Sequence, residues 1–176
     1  MTSQSDFDPS ERPASRRDFV TAVTAAAAAT AAASGSAQAQ TGPNVRHSNP
    51  SGMSQPTGYS QLVEINGPHR LVFVAGQTGT DVAGKPAKGF RAQMVQAYAN
   101  IRTALASVGG SMNDVVRLTT YVTDIEQNAD IYREVRAATF TDKSRLPAST
   151  LVQIVRLADP AYLVEVDAIA ILPPRT

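Results

Sequence analysis

The most regular hydrophobic pattern of the chain lies in its middle, between residues 88 and 108. Apolar side chains recur there every three or four positions, and polar side chains occupy the other faces, which is the spacing of an amphipathic helix. The apolar positions are Phe90, Met94, Ala97, Tyr98, Ile101, Leu105 and Val108. Gly109 and Gly110 follow directly, and glycine is typical of a helix C-terminus. The pattern predicts a helix whose apolar face packs in the core.

A second stretch of helical spacing covers residues 128–140. Ile131, Val135 and Ala138 fall on one stripe of this segment. We therefore predict a second, shorter helix that packs through this stripe.

Five runs rich in β-branched and aliphatic residues predict β-strands. They cover residues 62–65, 71–75, 115–122, 150–157 and 162–171. Asn66 and Gly67 separate the first two runs and favour the positive φ angles of a tight turn, so we predict that these two runs form a β-hairpin. The resulting order, ββαβαββ, is that of a single α+β domain with one sheet and two helices on one face.

Several of the predicted strands are apolar on both faces, as in residues 71–75. Two helices in a domain of this size cover only one face of the sheet, so the second apolar face needs another partner. We therefore predict a homo-oligomer in which the sheets of different copies pack together.

The N-terminal forty residues have a different pattern. The pair Arg16-Arg17 precedes a stretch without charge over residues 19–45, and residues 20–33 within it are mostly alanine. The motif Ala37-Gln38-Ala39 has the small residues that a signal peptidase requires. The alanine-rich part is too short and too weakly apolar to span a bilayer. These features resemble a twin-arginine export signal over residues 1–39, which predicts recognition by the twin-arginine export machinery and a periplasmic or secreted protein. The alternative is an alanine-rich tail that contains two arginines by chance.

The next segment, residues 40–58, contains many Pro, Gly, Ser and Asn residues and has no periodicity. Such a composition is typical of a linker or an extended arm. The folded domain is therefore predicted to span residues 59–176.

The composition excludes several classes of function. A formal net charge of +1 and 6% aromatic residues give no source for phosphate neutralisation or base stacking, so we expect no nucleic-acid partner. The chain has no cysteine, which removes thiolate nucleophiles and cysteine-based metal sites. Its two histidines, His47 and His69, are not spaced as a ligand pair. We expect neither a metal site nor a cofactor.

Six short segments resemble the Rid family (RidA/YjgF, reactive intermediate deaminase), and they occur in the family's order. They are YSQ (59–61), VFVAGQ (72–77), QAYANI (96–101), DVVRLTTYV (114–122), PAST (147–150) and VEVDAIA (164–170). The resemblance implies the chorismate-mutase-like fold, a homotrimer whose sheets form a central barrel, and ligand clefts at the subunit interfaces. In deaminating members it implies hydrolysis of enamines and imines of 2-oxo acids to the oxo acid and ammonia.

The resemblance identifies Glu165 with the family's acid that orients water, which makes it the candidate catalytic residue. Asp167 lies two positions further on, hence on the same face of the strand, and would support it as a hydrogen-bond acceptor. The alternative is a solvated strand face without a role in chemistry.

Two positions depart from the pattern of the deaminating members. Ser149 stands where they have an Arg directly after Pro-Ala, and Tyr132 stands where they have an Asn that lines the pocket. A hydroxyl supplies neither the charge nor the paired donors of a guanidinium, so we expect little or no 2-imino-acid deaminase activity. Arg145, four residues before Ser149, is a candidate substitute cation, and its alternative is a loop residue in water.

Two further residues match the family's ligand cleft. Tyr59 corresponds to a tyrosine that lines the cleft, and its alternative is a hydrophobic lid with the hydroxyl in water. Gly76 corresponds to a site where the backbone approaches the ligand, and its alternative is a bulge at the end of a strand.

Three functions remain open at this point. The first is an exported trimer that binds a small enamine, imine or oxo-acid-like metabolite. The second is an enamine or imine hydrolase that uses Glu165 and water on a substrate without a carboxylate. The third is a structural or chaperone-like trimer with vestigial clefts.

Overall fold

A computed structural model describes residues 42–175, so the predicted export signal over residues 1–39 lies outside the described residues. The elements are β1 (Asn44–Ser48), β2 (Leu62–Asn66), β3 (Arg70–Thr78), α1 (Phe90–Ala106), β4 (Val115–Val122), α2 (Ile125–Thr139), β5 (Ala148–Gln153) and β6 (Val164–Leu172). No helix within residues 42–175 has the length and apolar character needed to cross a membrane.

Four strands form the main sheet, in the order β3-β6-β4-β5. Strand β6 is antiparallel to both of its neighbours, and β4 is parallel to β5. A parallel pair needs a crossover connection, which α2 supplies between β4 and β5. The α+β class and the order of the five predicted strands and two helices are confirmed.

The predicted β-hairpin between the first two runs is wrong, and so is the prediction of one sheet, because the strands form two sheets. Gly67 does turn the chain, with a φ of 82°, but β2 pairs with β1 and β3 pairs with β6. The backbone groups of β2 are therefore satisfied by Asn44–Ser48 in a separate two-stranded sheet. That partner lies in the segment without periodicity over residues 40–58, where the pattern of hydrophobic residues gives no signal for a strand.

The core lies between the main sheet and α1. The predicted apolar face of α1 is buried from Phe90 to Leu105, and the alternate residues Val164, Val166, Ala168 and Ala170 of β6 are buried beneath it.

Helix α2 is rotated relative to the predicted stripe. Its buried residues are Asn128, Tyr132, Val135 and Arg136, whereas the predicted Ala138 is exposed. Two of these four are polar side chains that hydrogen-bond to backbone carbonyls, which explains why a search for apolar spacing misplaces the face.

Most of the other face of the main sheet is uncovered within residues 42–175, and Ile171 at one end of β6 is its buried part. Phe73 is 71% exposed and Leu71 is 50% exposed, and Phe73 lies opposite Ile169 of β6. The face also includes Glu165 and Asp167, which alternate with the buried residues of β6. The sheet-to-sheet oligomer stays a prediction.

Candidate functional site

Glu165 lies directly against Gly76, in an irregularity of the β3–β6 pairing. The register shifts between Val74 and Gln77, so Gly76 is part of a bulge. A Cβ atom at position 76 would overlap Oε1 of Glu165 and would lie 2.7 Å from its carboxyl carbon. The space that a side chain would fill at Gly76 is thus occupied by the Glu165 carboxylate.

The surroundings of Glu165 place it on the uncovered face of the sheet. It is paired with Tyr121 of β4, and Asp167 is paired with Thr119 on the same face, as the two-residue spacing predicts. Glu165 is half-buried and takes part in none of the three salt bridges within residues 42–175. Because the Glu165 carboxylate is half-exposed and has no ion-pair partner within residues 42–175, it is available to bind water or a ligand.

Tyr59 and Tyr132 line a cavity of about 480 Å³ between residues 55–59 and α2. The loop that carries Tyr59 is anchored on both sides of it. Ser60 Oγ donates to the carbonyl of Leu146 at 2.6 Å, and the carbonyl of Gly58 accepts from Arg136 at 2.6 Å. The two tyrosines that the resemblance identifies are therefore brought together in one cavity.

Arg136 also lines this cavity and is not among the residues predicted from the sequence. It is only 5% exposed, and its guanidinium donates to the carbonyls of Gly58 at 2.6 Å and Pro147 at 3.4 Å. The guanidinium also lies over the ring of Phe140, 5.4 Å from the ring centre. The available signal was its position four residues after Tyr132, on the same face of a helix.

A buried tyrosine packs beside these groups. Tyr98 is 2% exposed, its ring meets Phe140 edge-on at 5.8 Å, and its hydroxyl has no hydrogen-bond partner within residues 42–175. Burial raises the pKa of Tyr98 above its ordinary value; Tyr132 adds to this rise and Arg136 opposes it. Its phenol therefore stays neutral next to the cation.

Ser149 and Glu165 lie on opposite faces of the sheet in one protomer. Ser149 is paired with Leu118, which is fully buried on the helix side, whereas Glu165 is on the uncovered side. The Ser149 hydroxyl is buried and has no hydrogen-bond partner among the described residues. Ser149 therefore does not join Glu165 in a single-protomer cleft.

Arg145 does not line the cavity of Tyr59 and Tyr132. It is exposed, belongs to a different surface cleft with His47 and Asp114, and donates to the carbonyl of Asn113 at 3.4 Å. Within one protomer, this geometry favours the alternative of a loop residue over a substitute for the missing cation.

In the described part of the chain, no three His, Asp or Glu side chains cluster as a metal site requires.

Comparison with known proteins gives consistent results. The profile of the family described as Endoribonuclease L-PSP matches residues 51–172. The chain is similar to a RutC family protein of Aquifex aeolicus, with 34% identity over 114 residues, which are 64% of this chain and 87% of that protein. It is also similar to the 2-iminobutanoate/2-iminopropanoate deaminase of Salmonella typhimurium, with 26% identity over 64% of this chain and 86% of the enzyme.

Among solved structures, the chain is similar to a protein of the conserved Rid family from Yersinia pestis that is described as being of unknown function. The TM-score is 0.65 and the identity is 32%, over 73% of this chain and 99% of that protein.

Proposed function

The chain belongs to the Ribonuc_L-PSP (Endoribonuclease L-PSP) family, which includes the Rid proteins, and we propose that it is an exported homotrimer that binds a small imine, enamine or 2-oxo-acid-like metabolite. The ligand would occupy clefts between subunits. The observation that carries this proposal is the Glu165 carboxylate, seated over Gly76 on an uncovered sheet face.

The exposed apolar residues of the same face support the trimer. Leu71 and Phe73 lie on β3, next to the strand that carries Glu165, and burying them against another copy removes apolar surface from water. Covering this face would place Glu165 at a subunit interface.

The separation of the candidate residues within one protomer supports a cleft shared by two subunits. The cavity of Tyr59 and Tyr132 lies against α2, on the helix side, whereas Glu165 faces away from the helices. One subunit would supply the cavity and its neighbour would supply Glu165.

Ser149 supports binding without efficient hydrolysis of 2-imino acids. In the deaminating members that the chain resembles, an Arg at this position holds the substrate carboxylate. A hydroxyl has no positive charge and at most one donor, so a small 2-imino acid would not be held in a fixed position relative to Glu165 and water.

The second candidate function is hydrolysis of an imine or enamine without a carboxylate. Water would attack the imine carbon while Glu165 accepts one of its protons, and the C=N electron pair would move to nitrogen. Glu165 would return the proton to nitrogen, which gives a carbinolamine. Glu165 would then accept the hydroxyl proton of the carbinolamine and pass it to nitrogen, so that the C–N bond breaks and ammonia leaves as the carbonyl forms. The observation that favours this candidate is that Glu165 has no cationic partner within residues 42–175.

The test of the first proposal is a ¹H–¹⁵N titration of the assembled protein with 2-oxobutanoate, after sedimentation has given its oligomeric state. We expect a trimer, and the amides of Gly76 and Tyr59 should shift with one common Kd. A monomer, or a titration in which only one of the two amides moves, would contradict the shared cleft. The backbone amide of Val82, in an exposed loop, is the internal control, and its signal should not shift.

The second candidate is tested by the hydrolysis of acetophenone imine, which has no carboxylate. If it is correct, Glu165→Gln slows this hydrolysis by about 100-fold, the usual scale for loss of a general base. Equal rates for the two proteins would exclude the candidate.

The proposal of export rests on Arg16-Arg17 and the residues that follow them. An exported protein would take its ligand from the metabolites present outside the cytoplasm.

A further inference from the structure

The buried cation of the cavity lacks an anionic partner. Arg136 is nearly fully buried, and a buried charge is costly unless it is paired. None of the three salt bridges within residues 42–175 includes it. Its polar partners there are the two backbone carbonyls of Gly58 and Pro147, so the positive charge itself is not neutralised.

The guanidinium also has donors left over. A guanidinium carries five N–H groups, and the two carbonyls accept from one on Nη1 and one on Nη2. Three N–H groups therefore remain, and a carboxylate accepts two from such a fork. Because Arg136 lines the cavity, a ligand that enters the cavity reaches this side chain.

The charges around the cavity have one sign. Arg133 and Lys143 also line it, and none of its lining residues is acidic. Arg133 forms an ion pair with Asp130 at 2.6 Å, which reduces its contribution. Lys143 and Arg136 therefore supply most of the positive potential, which favours an anion.

The rings of the cavity select the shape of the ligand. The guanidinium carbon of Arg136 lies 5.4 Å from the centre of the Phe140 ring, so an aromatic ring stands beside the cation. Tyr59 and Tyr132 add two more aromatic side chains to the lining. Aromatic walls favour a flat, apolar ligand body, and a volume of about 480 Å³ is within the usual range for small-molecule sites.

We propose that Arg136 is the carboxylate anchor of this cavity and that its ligand is a planar, ring-bearing monocarboxylate. The inference deepens the proposed function and rests on the part of it that makes the Tyr59–Tyr132 cavity a ligand site. The cation that anchors this ligand then comes from α2.

The competing explanation is that Arg136 only ties residues 58 and 147 together. The test therefore compares two probes of the same shape, benzoate and neutral benzamide, by ¹H–¹⁵N titration of the full-length protein. We expect benzoate to shift the amides of Gly58, Tyr59 and Ala137, and to bind about tenfold or more tightly than benzamide, the scale of a charge-assisted hydrogen-bonded pair. Equal affinities, or no benzoate shift at these amides, would overturn the proposal.

Variants of the cavity's basic residues show which positive charge binds benzoate. Arg136→Lys keeps the positive charge and loses the fork, so benzoate affinity should fall about tenfold while benzamide affinity is unchanged. Lys143→Gln leaves the buried contacts intact and should weaken benzoate alone by a few-fold, even if Arg136→Lys does not fold. Arg102→Gln, an exposed change on α1 outside the cavity, is the matched control for net charge and should bind benzoate like the wild type.

The outcomes separate this inference from the proposed function. If benzoate binds at Gly58 and Tyr59 but the Gly76 amide never responds to 2-oxobutanoate, the shared cleft with Glu165 fails and the Arg136 anchor stands. If Gly76 and Tyr59 respond together to 2-oxobutanoate but benzoate binds no better than benzamide, the Arg136 anchor alone fails.

Discussion

The Glu165 carboxylate occupies the space that a side chain at Gly76 would fill, across the bulge between β3 and β6. The resemblance assigns Gly76 to close approach of a ligand, and the structure shows that the close approach in one protomer is that of Glu165. Glycine at position 76 is therefore a requirement for the orientation of the candidate catalytic acid.

Gly76→Ala is expected to displace Glu165 with little loss of stability. The atoms that the new methyl group would meet belong to the end of a flexible side chain on the uncovered face, so the free energy of unfolding should change by less than about 1 kcal/mol. The side-chain carboxyl signal of Glu165 in the ¹³C spectrum should shift. Gly52→Ala is the control, because no atom lies within 4 Å of its added methyl group. An unshifted Glu165 signal would show that the acid does not depend on Gly76.

Tyr98→Phe is expected to be neutral or slightly stabilising near neutral pH. The Tyr98 hydroxyl is buried without a partner within residues 42–175, so removing it should change the free energy of unfolding by no more than about 1 kcal/mol. A loss well above this value would mean that the hydroxyl has a partner in the assembled protein. Urea unfolding measures the difference.

The same variant tests the pH dependence of stability. The pKa of Tyr98 is raised in the folded protein, so the unfolded chain releases this proton at a lower pH than the folded protein does. The stabilisation of the folded protein that follows from this raised pKa is complete below the ordinary pKa of tyrosine, about 10. It is lost as the pH rises above that value. Tyr98→Phe should reduce the fall in stability at alkaline pH. An identical alkaline slope for both proteins would contradict the assignment.

Phe73→Glu should dissociate the oligomer. Phe73 is the more exposed of the two large apolar residues on the uncovered part of β3, and a charge buried between two copies is strongly unfavourable. Sedimentation should give a trimer for the wild type and a monomer for the variant. Val82→Glu, a change at an exposed position outside the strands, should remain trimeric. A wild-type monomer would contradict the predicted assembly.

The double change Arg16→Lys and Arg17→Lys should keep the protein in the cytoplasm. The twin-arginine machinery reads the arginine pair as an address, and lysine preserves the charge without that signal. Cell fractionation of the full-length chain measures the outcome, with Arg12→Lys as the matched control. Unchanged localisation of the double variant would support the alternative of an alanine-rich tail.

The parts of the fold that local pattern determines are predictable from the sequence. The limits of α1 and β4 agree with the predicted ones to within two residues, because α1 has a clean helical period and β4 is a continuous run of β-branched and apolar residues. The partner of β2 is not predictable in this way, because β1 is a mostly polar segment whose role arises only from pairing.

The candidate site is predictable only in part, because strand pairing decides which of its residues come together. The resemblance identifies Tyr59, Tyr132 and Glu165, but the distribution of these residues over two faces of the sheet depends on register. Arg136 escapes a search based on apolar spacing because it is a cation in a buried stripe. Its guanidinium donates to the carbonyls of Gly58 and Pro147, which lie outside α2 and reach it only in the folded chain.

The most direct test of the central claim is the rate of ammonia release from freshly generated 2-iminobutanoate. The wild type should be nearly inert, Ser149→Arg should be faster, and adding Glu165→Gln to Ser149→Arg should abolish the gain. This result would identify the missing cation as the cause of low deaminase activity and Glu165 as the group that activates water. Rapid hydrolysis by the wild type that Glu165→Gln leaves unchanged would contradict both parts of the account.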